Sequence, residues 1–295
     1  MGGVAHFVYD WSGGGCAHTP KIGPSRWPTT PRGICPPTSP GGRGPSLLRG
    51  IFIKLAVSAD VSYLPPAFAG FLGGVLGPVI GVGGGVVIVP IVNLAGWSFK
   101  EAVAASLFSI VVTSLVSVLS RRAVSLKYIK YAAPPTAAAV LASVVNVKYG
   151  GPLVERAYGV YLLAIAALMY FSPQAKRTRP AAGALLMFLG GFASSLFGIG
   201  GGTIYVPALT MLMGLTPKDA AAVSMALILP TTVAGATAYA AQGALDLGLA
   251  LAVAAGSALG SYLTNRYVVK RASSNAVRSA FVAYSLAVGL YYLLK

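Results

Sequence analysis

The chain has 295 residues, of which 56% are hydrophobic and only 9% are charged, and its formal net charge is +16. Soluble domains carry about 25% charged residues, so this chain has too few charges to cover a soluble surface. Its basic residues lie in the N-terminal segment and in short loops between apolar stretches, as in membrane proteins, which argues against nucleic acid as a partner.

The N-terminal segment, residues 1–55, is rich in Gly, Pro, Ser and Thr and shows no hydrophobic periodicity. We predict a disordered tail, because such a composition buries too little apolar surface to offset its ordering entropy. It lacks the apolar core of a signal peptide, and an over-extended reading-frame start is one hypothesis for it. Both cysteines (Cys16, Cys35) and both histidines (His6, His18) lie here. Their spacing fits no standard zinc pattern, so no metal site is expected.

Apolar stretches of helical length follow one another from residue 64 to the C-terminus. Because about 20 apolar residues cross roughly 30 Å of hydrocarbon, we predict an all-α integral membrane protein that crosses the plasma membrane several times. Two of the stretches, 64–94 and 181–213, are each interrupted by a run of glycines. The uninterrupted stretches are 102–119, 131–147, 157–171, 220–240, 247–263 and 277–294.

The two interrupted stretches carry nearly the same motif, PVIGVGGGVVIVP and SLFGIGGGTIYVP. Gly81 and Pro90 of the first recur in the second as Gly198 and Pro207, at an offset of 117 residues. Glycine tolerates the backbone conformations that a helix break needs, and it leaves its own backbone uncovered. The motif therefore predicts that the first helix of each half is broken at its glycine run.

Two further segments repeat in the same order. KEAVAASLFSIVVTS at 100 resembles KDAAAVSMALILPTT at 218, and VERAYGVYLLAIAAL at 154 resembles VRSAFVAYSLAVGLY at 277. Many transporters are built from such internal repeats. We therefore predict two homologous halves of about four helical segments each, a first membrane repeat at 56–175 and a second at 176–295.

The basic loops predict the topology. The loops at 121–130, 172–180 and 264–278 are all basic and are expected to face the cytoplasm. All three lie on one side only if the interrupted stretch 181–213 enters the membrane and returns to the same side. This is plausible in length, because each of its two arms is too short for an upright span of about 20 residues. This favours two halves of inverted topology, with a parallel four-plus-four arrangement as the alternative.

The glycine runs also predict a binding site. A helix that begins just after such a run directs unpaired N–H groups and the positive end of its dipole into the gap, where they favour an anion. We expect the two breaks to meet and to bind substrate through these residues: Gly83, Gly84, Gly85, Ser106, Gly200, Gly201, Gly202 and Ser224.

The glycine runs allow three other interpretations. A close helix-packing surface of small residues is the alternative that the motif alone leaves open. A dinucleotide fingerprint fits poorly, because the glycines follow an apolar stretch of helical length and not a strand, although Asp219 lies about 20 residues after Gly198. A phosphate-binding loop would require Lys-Ser or Lys-Thr after the run, and neither copy has it.

Hydroxyl side chains are frequent in the stretches after the breaks. Most Ser and Thr side chains in membrane helices bond back to their own helix or to a neighbouring one. Ser106 and Ser224, matched between the halves, are the best ligand candidates. Asn93 would either donate its amide near the first break or cap the helix.

The apolar stretches offer few groups for catalysis. They contain no His, no Cys and no carboxylate away from their ends. Glu101 and Asp219 lie next to Lys100 and Lys218, where solvated ion pairs are expected. Since a hydrolase would need a buried base or paired carboxylates, we expect neither an enzyme nor a cofactor.

Three features of the chain point to a known family: the two glycine runs with their trailing prolines, the starts AAS at 104–106 and AVS at 222–224, and the basic loop RRAVSLKYIK. In these features the chain resembles the sulfite exporter TauE/SafE family of membrane permeases. The resemblance covers about residues 64–295. The family more often has Thr before this serine, where the chain has Ala105 and Val223.

The resemblance implies transport of small sulfur-containing anions such as sulfite or sulfonates, with other organic anions left open. The expected partners are a small anion and the lipid bilayer, and a homo-oligomer is left open. A membrane sensor or assembly subunit without transport activity is the alternative function.

Overall fold

The computed structural model describes residues 63–120, 128, 131–171, 180–268 and 274–295. All of them lie within one unit, Leu47–Lys295. The predicted tail at 1–55 and residues 121–127, 129–130, 172–179 and 269–273 of the basic loops lie outside the described residues. The predicted loop at 264–278 is shorter than expected, because Thr264–Val268 is helical and a helix begins at Ser274.

The described part of the chain is helical and contains no strand. The first half forms helices α1 (Leu64–Ile80), α2 (Gly85–Leu94), α3 (Phe99–Ser120), α4 (Ala133–Tyr149) and α5 (Pro152–Phe171). The second half forms α6 (Pro180–Phe197), α7 (Gly202–Pro207), α8 (Pro217–Ala241), α9 (Leu247–Leu263) and α10 (Ser274–Leu294). One π-helical turn, Ala208–Leu212, continues α7, and another, Thr264–Val268, continues α9.

The helices have the lengths of a membrane protein. Among the described residues, α3, α5, α8 and α9 are long and apolar enough to cross a membrane. Helices α1, α2, α6 and α7 are apolar but shorter, because the glycine runs cut them. The prediction of an all-α integral membrane protein is therefore confirmed.

The starts of α3 and α8 correct one expectation. The Glu101 carboxylate accepts hydrogen bonds from the backbone N–H and the hydroxyl of Ser98, at 3.0 and 2.7 Å. The Thr216 hydroxyl donates to the Asp219 carboxylate at 2.7 Å and accepts from the Asp219 N–H at 3.2 Å. The Glu101 carboxylate thus closes a capping box with Ser98, and the Asp219 carboxylate bonds the side chain of its N-cap residue Thr216. Neither carboxylate forms an ion pair with the neighbouring lysine in the described part of the chain.

The two sequence halves pack across each other. Helix α1 of the first half packs most extensively on α9 of the second, and α6 of the second half packs on α4 of the first. In the centre α3 packs on α8, and α5 packs on α10.

Glycines allow the close approach of α1 and α9. A Cβ on Gly70 would lie 2.0 Å from the Val253 carbonyl oxygen, and a Cβ on Gly256 would lie 2.0 Å from that of Ala67. Backbones come this close only where side chains are absent or small. The packing surface of small residues that the motif left open is therefore a feature of this helix pair.

Candidate functional site

Both glycine runs end one helix and begin the next. After α1 the N–H of Gly81 donates to the Gly77 carbonyl at 2.8 Å, which closes the last turn in a left-handed cap. Helix α2 then begins after Gly84. In each run three glycines adopt positive φ, which side-chain-bearing residues rarely do: Gly81, Gly83 and Gly84, and Gly198, Gly200 and Gly201. The predicted break of both helices is confirmed.

The last glycine of each run has a different role. Gly85 and Gly202 have ordinary φ, but a Cβ on Gly85 would lie 1.9 Å from the Gly198 carbonyl oxygen, and a Cβ on Gly202 would lie 2.1 Å from that of Gly81. Each helix start thus touches the end of the broken helix in the other half. The predicted meeting of the two breaks is observed, and it is reciprocal.

The two candidate serines cross between the halves in the same way. Ser106 of α3 donates to the Gly198 carbonyl at 2.7 Å, and Ser224 of α8 donates to the Gly81 carbonyl at 2.8 Å. Both serines are completely buried. The structure therefore brings both hydroxyls to the breaks, while their role as ligands stays a prediction.

The centre of the contact is formed by backbone. A Cβ on Gly83 would lie 3.5 Å from the Ile199 carbonyl oxygen and 3.7 Å from the Gly200 Cα. Residues 81–90 and 197–203 are all buried. As at any helix start, the first N–H groups of α2 and α7 have no acceptor in their own helix. The two starts therefore direct N–H groups and positive dipole ends into a buried region.

Charged side chains do not contribute to this region. Every buried polar side chain in the described ranges is a Ser, a Thr, an Asn or a Tyr, and none is charged. An ion at the breaks would therefore interact with backbone dipoles and hydroxyls, which bind an anion without forming an ion pair.

Two residues that the sequence did not single out hold the end of α6. Asn146 of α4 donates to the Leu196 carbonyl at 2.8 Å, and Tyr239 of α8 donates to the Ser195 carbonyl at 2.8 Å. The Asn146 amide also donates to the Tyr239 hydroxyl. Together they satisfy carbonyls that the broken helix leaves without partners.

A pair of tyrosines links the outer helices to the helices that follow the breaks. The Tyr161 hydroxyl of α5 bonds the Thr203 hydroxyl at the start of α7, and the Tyr284 hydroxyl of α10 lies 3.5 Å from the Val86 carbonyl at the start of α2. The sequence missed both contacts. The signal was present, since Tyr161 and Tyr284 are aligned in the matched segments at 154 and 277.

Four other hydroxyls in the stretches after the breaks behave as membrane-helix hydroxyls usually do. They bond carbonyls of their own helix, which confirms the expectation for these residues: Ser109, Ser114, Thr231 and Thr232. Thr113 is an exception, because its buried hydroxyl has no hydrogen-bond partner among the described residues. Asn93 lies at the far end of α2, where its amide donates to the Trp97 carbonyl at 3.1 Å. Asn93 is therefore a cap and not a donor at the break. Within the described residues, no three His, Cys, Asp or Glu side chains come together as metal ligands would.

Known proteins resemble the chain along most of its length. The profile of the sulfite exporter TauE/SafE family matches residues 67–292. A probable membrane transporter protein of Methanocaldococcus jannaschii is 31% identical over 190 residues, which cover 58% of this chain and 69% of the relative. The probable membrane transporter protein YunE of Bacillus subtilis is 25% identical over 245 residues, which cover 69% of this chain and 87% of YunE. The chain is therefore a membrane transporter that belongs to the sulfite exporter TauE/SafE family.

Proposed function

We propose that the chain carries small sulfur oxyanions, sulfite or sulfonates, across the plasma membrane, and that they pass through the contact between the two glycine runs. The observation that carries this proposal is the reciprocal approach of Gly85 to Gly198 and of Gly202 to Gly81. It brings the positive ends of α2 and α7 to one buried place. Binding at such broken helices near the middle of a membrane is a general feature of transporters.

The proposed ligands are the backbone N–H groups of the runs together with the two serine hydroxyls. A bare carbonyl oxygen at this place would repel an anion, and in the present conformation each serine hydroxyl covers one such oxygen. Ser106 and Ser224 would therefore favour the anion either directly, as donors, or by neutralising the Gly198 and Gly81 carbonyls. The complete proposed set is Gly83, Gly84, Gly85, Ser106, Gly200, Gly201, Gly202 and Ser224.

We also propose that the halves are inverted repeats related by an approximate two-fold axis through this contact. Three reciprocal relationships support it: the glycine contacts, the serine bonds, and the packing of α1 on α9 and of α6 on α4. An axis in the membrane plane would also leave the three basic loops on one side, as their charge favours.

The test is uptake of radiolabelled sulfite into liposomes that contain the purified protein. Gly200→Ala should abolish uptake, because its Cβ would stand 3.1 Å from the Val82 carbonyl oxygen within the contact. The matched control is Gly96→Ala, since Gly96 has a similar positive φ (100° against 91°) but nothing within 4 Å of its Cβ position.

The Gly96→Ala control distinguishes the effect of backbone strain from the effect of a side chain placed within the contact. Normal uptake by Gly200→Ala would remove the glycine run from the transport path. Absence of uptake by the unaltered protein, together with thermal stabilisation by sulfite, would instead favour the sensor alternative, because a ligand stabilises any protein that binds it when folded.

A further inference from the structure

One apolar side chain covers both glycine runs. The Ile110 Cγ2 of α3 lies 2.9 Å from the position of a Cβ on Gly83, and its Cδ1 and Cγ2 each lie 3.2 Å from that of a Cβ on Gly200. Ile110 is completely buried. It therefore packs over the centre of the contact, where the two broken helices come closest.

The side chain that lies close to both runs belongs to the first half. The offset of 118 residues that relates Ser106 to Ser224 relates Ile110 to Ile228 of α8. Ile228 is equally buried, but its atoms are not among the nearest neighbours of the glycines in either run. The two isoleucines thus share residue type, helix position and burial, but only Ile110 is among the nearest neighbours of glycines in both runs.

Hydroxyl groups flank Ile110 on its own helix. Ser106 lies one turn before it and Thr113 one turn after it, so the three side chains share a face of α3. The Thr113 hydroxyl is completely buried and has no hydrogen-bond partner in the part of the chain that the structure describes. A buried donor without an acceptor is costly, and an oxyanion in the space that Ile110 fills would place acceptor oxygens beside it.

We infer that Ile110 is the gate of the anion site and that its size limits the anions that pass. This inference rests on the proposed function. In the present conformation the side chain packs against both runs and keeps water and anions from their N–H groups, as an apolar constriction does in a channel.

The branching of the side chain determines how such a gate opens. Isoleucine strongly prefers one χ1 rotamer in a helix, so Ile110 cannot easily turn aside on its own. Opening therefore requires α3 to move relative to the breaks. The Ser106–Gly198 hydrogen bond, one turn away, ties α3 to the second break and has to change in the same movement.

The test compares Ile110→Ala with Ile228→Ala as the matched control. Hydrogen–deuterium exchange of the purified proteins reports the cover directly, without any need for transport. Ile110→Ala should raise exchange at residues 83–85 and 200–202, and Ile228→Ala should not. In liposomes, uptake of sulfite, methanesulfonate and ethanesulfonate reports the size limit. Ile110→Ala should improve uptake of ethanesulfonate relative to methanesulfonate by about tenfold or more, because one methylene in an apolar pocket changes discrimination by about 10–200-fold.

The outcomes distinguish a failure of the proposed gate from a failure of the proposed transport function. Equal exchange in both variants overturns the gate. Exchange could rise at both runs while neither Ile110→Ala nor the unaltered protein takes up any anion. That result would support the covering role of Ile110 and refute the proposed transport. The gate is also overturned if the unaltered protein transports anions and the two variants show the same dependence of uptake on anion size. If Ile110→Ala fails to fold, Ile110→Val, which keeps the branch and loses one methyl group, should change both readouts in the same direction by less.

Discussion

The Ser106 hydroxyl donates to the carbonyl oxygen of Gly198, 92 residues away in sequence and in the other half of the protein. Ser224 makes the mirrored bond to Gly81, 143 residues away. Each bond connects an intact helix of one half to the end of a broken helix in the other. Two hydroxyl groups thus join the halves at the place where both helices are interrupted.

Ser106→Ala and Ser224→Ala should each lower the free energy of unfolding by about 1–3 kcal/mol, because a buried carbonyl then loses its donor. Each should also weaken sulfite uptake a few-fold. The measurements are thermal unfolding in detergent and uptake into liposomes. Ser143→Ala is the control, since among the described residues that buried hydroxyl bonds the Val140 carbonyl of its own helix and no residue of the other half. A loss no larger than that of the control would mean that the crossed bonds contribute nothing.

Gly85→Ala and Gly202→Ala should prevent the breaks from meeting. The added Cβ would lie 1.9 and 2.1 Å from a backbone carbonyl oxygen of the opposite run, and backbone cannot move aside as a flexible side chain does. We expect little folded protein and no uptake, measured by size-exclusion profile and flux. Gly151→Ala is a suitable control, because nothing lies within 4 Å of its Cβ position. Folded, active Gly85→Ala would contradict the contact between the runs.

Gly201→Val and Gly84→Val should both abolish transport, but with different effects on stability. At Gly201 the Cβ would meet the Tyr205 ring, 2.7 Å from Cζ, whereas at Gly84 it would lie 2.2 Å from the Gly73 carbonyl oxygen. A ring can shift and a carbonyl cannot, so Gly84→Val should be the less stable protein. Immunoblots of membranes and uptake at matched protein level measure the two effects. Normal transport by both variants would leave the runs as packing surfaces only.

Tyr239→Phe should destabilise the end of α6 by about 1–3 kcal/mol while it leaves the packing intact. The change removes the hydroxyl that donates to the Ser195 carbonyl and accepts from Asn146. Thermal unfolding measures the loss, with Tyr149→Phe, at an exposed tyrosine, as the control. Equal unfolding temperatures for the two variants would mean that the capping bond is dispensable.

The topology prediction concerns three positions, Ser125, Thr178 and Ser273, that lie outside the described residues. Single cysteines at Ser125, Thr178 and Ser273, in a chain whose Cys16 and Cys35 are replaced, should resist an impermeant maleimide in intact cells, because all three loops are basic and expected to be cytoplasmic. Labelling at Ser273 alone would favour the parallel arrangement over the inverted one.

The sequence predicted the helices and both breaks, because apolar length and clustered glycines are local signals. It could not show that Ser106 reaches Gly198, since nothing near either residue records a partner 92 residues away. The contact of Ile110 with both runs could not be predicted either, because isoleucine is common in membrane helices and gives no sign of its neighbours. The helix caps differ, because their signal is local: Ser98 with Glu101 and Thr216 with Asp219 have the spacing of a capping box. The adjacent lysines suggested ion pairs instead.

The packing of α1 on α9 has a consequence for biosynthesis. The Ser257 hydroxyl of α9 donates to the Gly70 carbonyl of α1 across 187 residues of sequence. Chains are synthesised at about 5–20 residues per second, so α1 leaves the ribosome some ten seconds or more before its partner exists. During that interval its glycine-rich face and its broken end lack the helices that later cover them. The nascent first half therefore has to wait, unpaired or held by the insertion machinery, until the second half is made.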